Sequence, residues 1–82
     1  MDEKTVNYVK KSSYRLKVLQ TIGEDVKMPN EISRESGILQ NHISNVLKQL
    51  RDKDLVECIN PEVRKGRLYR ANENGLEVLK KL

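Results

Sequence analysis

The amino-acid sequence predicts one mostly helical α+β domain of 82 residues. Apolar residues recur at helical spacing through most of the chain, and a glycine-containing turn separates two helical segments in its middle. A strand–loop–strand segment follows these helices, before a last helical stretch. Because a chain of this length can build a small core, we expect residues 1–82 to form a single domain.

Composition argues against several classes of protein. Apolar residues make up 37% of the chain, and no apolar run approaches the roughly 20 residues that cross a bilayer. The first residues lack the apolar core of a signal peptide, so we expect a cytoplasmic protein without a membrane partner. One cysteine, Cys58, and one histidine, His42, are too few for an internal disulfide or a structural zinc site. We therefore expect no metal, no cofactor and no enzymatic activity.

The formal charge of +4 is distributed unevenly. Residues 4–17 contain five basic residues and no acid, and residues 62–70 contain four basic residues and one acid. Residues 24–36 instead carry a net charge of −2. Two separate basic segments favour a polyanionic partner, although ordinary solubility is the alternative explanation.

The opening segment predicts either two helices or one continuous helix. Val6 and Val9 share one face of a helix that reaches to residue 11. A serine oxygen at Ser12 or Ser13 can cap a new helix start, which predicts a break there. The two valines are also a candidate surface for pairing with a second copy of the chain.

Two helices are predicted next, each ended by a glycine. The first covers residues 14–22 and stops at Gly23. Pro29 suits the first position of a short helix that ends before Gly37, because a proline there lacks only an amide that would be unpaired anyway. Glycine can enter the left-handed conformation that a tight turn after this helix requires.

The helix predicted over residues 40–53 is the centre of the functional hypothesis. Its apolar residues lie on one side, and the other side carries the candidate base-contacting residues Gln40, Asn41, Ser44, Asn45 and Lys48. Amide side chains pair with adenine edges, and lysine suits guanine or phosphate. Together with the short helix and the glycine turn, this segment has helix-turn-helix spacing. An ordinary helical hairpin uses the same kind of turn and is the alternative.

A β-hairpin is predicted after this helix. Residues 55–59 and 67–71 are compatible with strands, and the loop over residues 60–66 is rich in turn-forming and basic residues. Tyr69 is expected to point inward, with Val56 and Cys58 as neighbours. The hairpin carries candidate contacts to a nucleic-acid backbone at Arg64, Lys65 and Arg67.

The last helix is predicted over residues 73–82, with Asn72 as its cap. Leu76, Leu79 and Leu82 form its apolar line. This line can cover the sheet of its own chain, or it can pair with the same helix of a second copy. The sequence leaves both alternatives open.

In order and spacing, these residues resemble winged helix-turn-helix transcriptional regulators of the MarR/ArsR-like type, particularly small archaeal members. The resemblance covers residues 13–79 and rests on Ser44, Leu47 and Leu50 in the helix, on Leu55-Val56 before the hairpin, and on residues 72–79. The basic run over residues 60–70 is also similar. The resemblance implies a three-helix core, a β-hairpin wing and a C-terminal helix.

The same resemblance implies a function. A protein of this type binds double-stranded DNA in a sequence-specific manner, with the helix over residues 40–53 in the major groove and the wing over residues 60–66 on the backbone. Further backbone contacts are expected at Ser13, Arg15 and Asn30. A homodimer is expected, through Val6 and Val9 or through the C-terminal leucines. A winged-helix module that binds other proteins is the main alternative.

One departure from the family pattern affects the backbone. Asp54 stands where the family usually has glycine ahead of the wing. If the position is left-handed, aspartate tolerates it better than most residues, at a cost of about 1 kcal/mol.

Overall fold

The computed structural model describes residues 3–82, which form an α+β domain that is mostly helical. The described residues contain five helices and two strands. In chain order these are α1 (Glu3–Lys10), α2 (Ser13–Ile22), α3 (Pro29–Ser36), α4 (Gln40–Asp52), β1 (Val56–Cys58), β2 (Tyr69–Ala71) and α5 (Glu73–Lys80).

The ends of the helices follow from local residue chemistry. The Ser12 side chain accepts a hydrogen bond from the Arg15 backbone N–H, which confirms the predicted break between α1 and α2. Gly23 and Gly37 end α2 and α3 with positive φ angles of 53° and 77°. Asn72 caps α5, because its side-chain oxygen accepts from the Gly75 N–H at 2.9 Å.

The two strands form an antiparallel hairpin that is shorter than predicted. Val56 pairs with Ala71 and Cys58 pairs with Tyr69. The ladder ends early because the Leu68 N–H donates to the side-chain oxygen of Asn60 at 2.7 Å, instead of to a backbone carbonyl of the opposite strand. On the other edge, the Lys27 backbone exchanges two hydrogen bonds with Tyr69, of 2.9 and 2.8 Å. The connector between α2 and α3 therefore extends the sheet.

The core lies between the helices and the inner face of the hairpin. Tyr69 is buried as predicted, Val56 is buried, and Cys58 is half-buried. Val6 and Val9 are also buried, with 7% and 0% of their surface exposed. This corrects the expectation that the two valines form a dimer surface, because they are part of the core of their own chain.

The most deeply buried residues of α5 are not the predicted leucines. Its buried residues are Gly75 and Val78. Leu76 and Leu79 are half-buried against the core, and Leu82 lies beyond the end of the helix with 37% of its surface exposed. The apolar line therefore covers its own chain in part, and only its last residue projects outward.

Within residues 3–82, none of the helices has the length and hydrophobicity needed to cross a membrane.

Candidate nucleic-acid interface

A groove of about 660 Å³ runs between α4, the hairpin loop and the start of α3. Most of the predicted site residues line it: Asn30, Gln40, Ser44, Lys48, Arg64, Lys65 and Arg67. Its lining contains five basic side chains and no acidic one. The structure therefore brings the polar side of α4 and the basic loop onto one surface, as a single anion-attracting groove.

The helix α4 presents two polar rows. The groove row consists of residues three or four positions apart that line the groove: Gln40, Ser44, Lys48 and Arg51. The outer row consists of Asn41 and Asn45, which are exposed beside the groove but do not line it. The buried residues Ile43, Val46, Leu47 and Leu50 anchor the opposite side in the core. A ligand that fills the groove therefore also meets the outer row if it is broad enough to cover α4.

Arg51 also lines the groove, although the sequence analysis did not include it among the candidate contacts. It lies three residues after Lys48, so its spacing continues the groove row, and this spacing was the available signal. The Lys48 ammonium lies 3.1 Å from the Asp52 carboxylate in an exposed ion pair. No such ion pair or hydrogen bond holds the Arg51 side chain among residues 3–82. Arg51 is therefore the cation of α4 that is available to an incoming anion.

The hairpin loop is held in shape by Asn60. Its side-chain oxygen accepts from the Leu68 N–H, and its amide donates to the Gly66 carbonyl at 3.1 Å. Gly66 has a φ angle of 75°, which favours glycine over other residues. The loop consequently has a defined conformation at the point where it carries its basic side chains.

The three basic residues of the loop have different environments. The Arg67 guanidinium donates to the Val63 carbonyl at 2.7 Å and to the Pro61 carbonyl at 3.2 Å. Arg64 and Lys65 are exposed, and neither has a side-chain partner in the described part of the chain. Arg67 therefore braces the loop, whereas Arg64 and Lys65 are free to contact a ligand.

Asn30 is placed at the groove by the first turn of α3. Pro29 begins this helix, and the Glu31 carboxylate accepts the Met28 N–H at 2.8 Å, which fixes the entry of the chain. Asn30 is exposed and lines the groove. It can donate a hydrogen bond to an anion bound there.

Arg15 does not reach the groove. Its guanidinium lies 3.8 Å from the centre of the Tyr8 ring and donates to the Tyr8 carbonyl at 2.5 Å. It also donates to the Gln49 side chain at 3.2 Å. These contacts tie α1 and α2 to α4 and give the Arg15 side chain a structural role. Ser13 is exposed at the start of α2 and lies outside the groove.

Residues 3–82 contain no group of three or more histidine, cysteine or acidic side chains that could hold a metal ion. The thiol of Cys58 lies 3.6 Å from the Asn60 side-chain oxygen, at the base of the hairpin loop.

No family model, curated protein or solved structure gives a significant match to this chain.

Proposed function

We propose that this protein is a sequence-specific, double-stranded DNA-binding transcriptional regulator of the winged helix-turn-helix type. In this proposal α3 and α4 form the helix-turn-helix, and the hairpin with its loop over residues 60–66 is the wing. The observation that carries the proposal is the shared groove, because it presents the groove row of α4 and the free cations of the loop to one ligand.

The dimensions suit a duplex. The 13 residues of α4 span about 20 Å at 1.5 Å per residue, and a major groove about 12 Å wide admits one helix. The side chains of the outer row, Asn41 and Asn45, together with Gln40, can pair with adenine edges there. Sequence preference is assigned to these amides and to Ser44 and Lys48.

The basic residues supply the affinity. Arg51, Arg64 and Lys65 lack intramolecular partners within residues 3–82, so binding a phosphate does not require any of them to give up an ion pair. Neutralised phosphates release counterions, and the observed affinity then falls steeply with salt. Arg67 contributes by holding the loop in shape.

A homodimer on two half-sites remains part of the proposal, by analogy with other helix-turn-helix proteins. Since Val6 and Val9 are buried, the remaining candidate surface is the end of α5, where Leu82 is exposed and Leu76 and Leu79 are half-buried.

Fluorescence anisotropy with a labelled random duplex, titrated at several salt concentrations, tests the proposal. We expect binding at micromolar protein at low salt, with an affinity that falls linearly on a log–log plot. Selection from a random duplex pool should then yield a preferred sequence. Absence of binding at low salt contradicts the proposal and favours the alternative, a winged module that binds other proteins.

A further inference from the structure

Leu39 is exposed to an unusual degree for its type. It exposes 68% of its surface, while the other exposed large apolar residues of the described chain expose 37–45%. It also occupies the N-cap of α4, where it provides no side-chain hydrogen bond. Leucine is among the poorest residues at this position, where serine, threonine, aspartate or asparagine satisfies a free N–H of the first turn. Leu39 is therefore unfavourable for stability both because its apolar side chain is exposed and because it does not cap the helix. Residues that are locally unfavourable in this way concentrate at functional sites.

The position of Leu39 is well defined. Its carbonyl accepts hydrogen bonds from the His42 N–H at 2.9 Å and the Ile43 N–H at 3.2 Å, so its backbone is part of the helix start. The next residue, Gln40, lines the groove, and Asn41 begins the outer row. The His42 ring packs against the Tyr14 ring with centroids 5.4 Å apart. An apolar side chain thus projects from an ordered helix end, beside the amides proposed to read bases.

We propose that Leu39 is a specificity-determining residue that contacts the C5-methyl group of a thymine in the major groove. This inference rests on the proposed function, and it names the base feature that the start of α4 reads. Among the unmodified bases, the thymine methyl is the apolar group on the major-groove edge, and aliphatic side chains recognise it by contact. Gln40 and Asn41 suit adenine edges, so the three residues together select an A·T-containing step. A phosphate or a guanine edge would gain nothing from a leucine.

The test starts from a duplex selected by the wild-type protein from a random pool. Each thymine of this duplex is replaced in turn by deoxyuridine, which removes the methyl group and leaves the hydrogen-bonding groups unchanged. We expect one replacement to weaken wild-type binding about threefold to fourfold. This corresponds to the roughly 0.8 kcal/mol of transfer free energy gained by burying one CH₂ group. Leu39→Ala should bind the thymine and deoxyuridine duplexes equally at that position.

Two further variants separate this role from a structural one. Leu39→Ser should raise the thermal midpoint, because serine caps the helix, and yet lose the discrimination between thymine and deoxyuridine. Val26→Ala, a truncation at an exposed apolar residue outside the groove, should keep that discrimination. The inference is overturned if no deoxyuridine replacement weakens wild-type binding, or if Leu39→Ala retains the full sensitivity. Either result leaves the proposed DNA binding intact, whereas a wild-type protein that selects no duplex contradicts the proposed function itself.

Discussion

The side chain of Arg67 donates a hydrogen bond of 2.7 Å to the carbonyl of Val63, across the loop that carries Arg64 and Lys65. A second hydrogen bond runs from the Arg67 guanidinium to the Pro61 carbonyl, so this side chain links the end of the loop to its first half. One arginine thus shapes the loop, and its two basic neighbours remain free. These two roles can be distinguished experimentally, because the salt dependence of the binding affinity reports how many phosphates the protein neutralises.

Lys65→Ala should weaken binding to all duplexes and reduce the slope of log affinity against log salt by about one. Arg67→Ala should also weaken binding, because the loop loses its brace, but the slope should stay close to that of the wild type. Anisotropy titrations at four or more salt concentrations give both values. Equal slope changes in the two variants would show that Arg67 is itself a phosphate contact.

Arg51→Gln should reduce the salt slope by about one as well, since Arg51 faces the groove without an ion pair in residues 3–82. Lys48→Gln should reduce it less, because the Lys48 ammonium is already compensated by Asp52 at 3.1 Å. Lys80→Gln, which removes an exposed lysine of α5 next to Glu77, is the matched control and should leave the slope unchanged. If Arg51→Gln behaves as the Lys80 control does, Arg51 makes no contact with a phosphate.

Gly75→Ala should destabilise the fold although the residue lies inside a helix. A Cβ at this position would lie 2.1 Å from the Leu55 carbonyl oxygen and 3.1 Å from the Ala71 Cβ. Alanine gains up to about 1 kcal/mol of helix propensity, but overpacking against a backbone atom costs about 1–3 kcal/mol or more. We expect a net loss of roughly 2 kcal/mol in the free energy of unfolding by urea. Glu77→Ala in the same helix should change it by less than about 0.5 kcal/mol.

Asp54 has a φ angle of 58°, as its position before the hairpin suggested. Its carboxylate accepts hydrogen bonds from the Asn72 and Asn74 side chains at 3.1 and 3.0 Å. These bonds offset the energetic cost of the left-handed backbone conformation. Asp54→Ala loses these bonds and keeps the strain, so we expect a destabilisation of about 1–2 kcal/mol. Asp54→Gly loses the bonds but also the strain and should lie within about 0.5 kcal/mol of the wild type. If urea unfolding shows that Asp54→Gly is less stable than Asp54→Ala, this explanation is wrong.

The pKa of Lys27 is raised above its usual value, mainly by the hydrogen bond to Glu35. The nearby negative charges of Glu35, Asp25 and Glu31 raise this pKa further, whereas partial burial of the ammonium lowers it. A raised pKa in the folded state means that the contribution to stability is complete below the unfolded pKa and is lost as the pH rises through the folded pKa. Glu35→Gln should therefore be less stable than the wild type at pH 8, by under about 1 kcal/mol because the pair is partly exposed. The difference should shrink above pH 10.5. A difference that stays constant up to pH 12 would exclude this ion pair as its source.

The helix boundaries could be predicted from the sequence because their causes are local. Ser12, Gly23, Gly37 and Asn72 act within one turn of their own position, and each ends or begins a helix as expected. The strand ends were less accurate, since the side chain of Asn60 replaces a backbone acceptor and closes the ladder early.

The site was predicted less completely because its geometry depends on distant contacts. Arg15 binds Gln49, 34 positions away, and no local pattern distinguishes this from a free basic residue. Arg51 lines the groove because the hairpin loop lies on the same side of α4, and the sequence alone does not show where that loop packs. Val6 and Val9 had a correctly predicted face, but the sequence did not say whether the partner of that face is α2 or a second chain.

An NMR titration of the ¹⁵N-labelled protein with a selected duplex shows whether α4 and the hairpin loop contact DNA together. We expect the amide shifts to concentrate in residues 39–51 and 64–66 and to appear at the same DNA concentration. The amides of α5 should change little, since α5 contributes no residue to the groove. Shifts confined to α5 and α1, or to only one of the two predicted segments, would contradict the account.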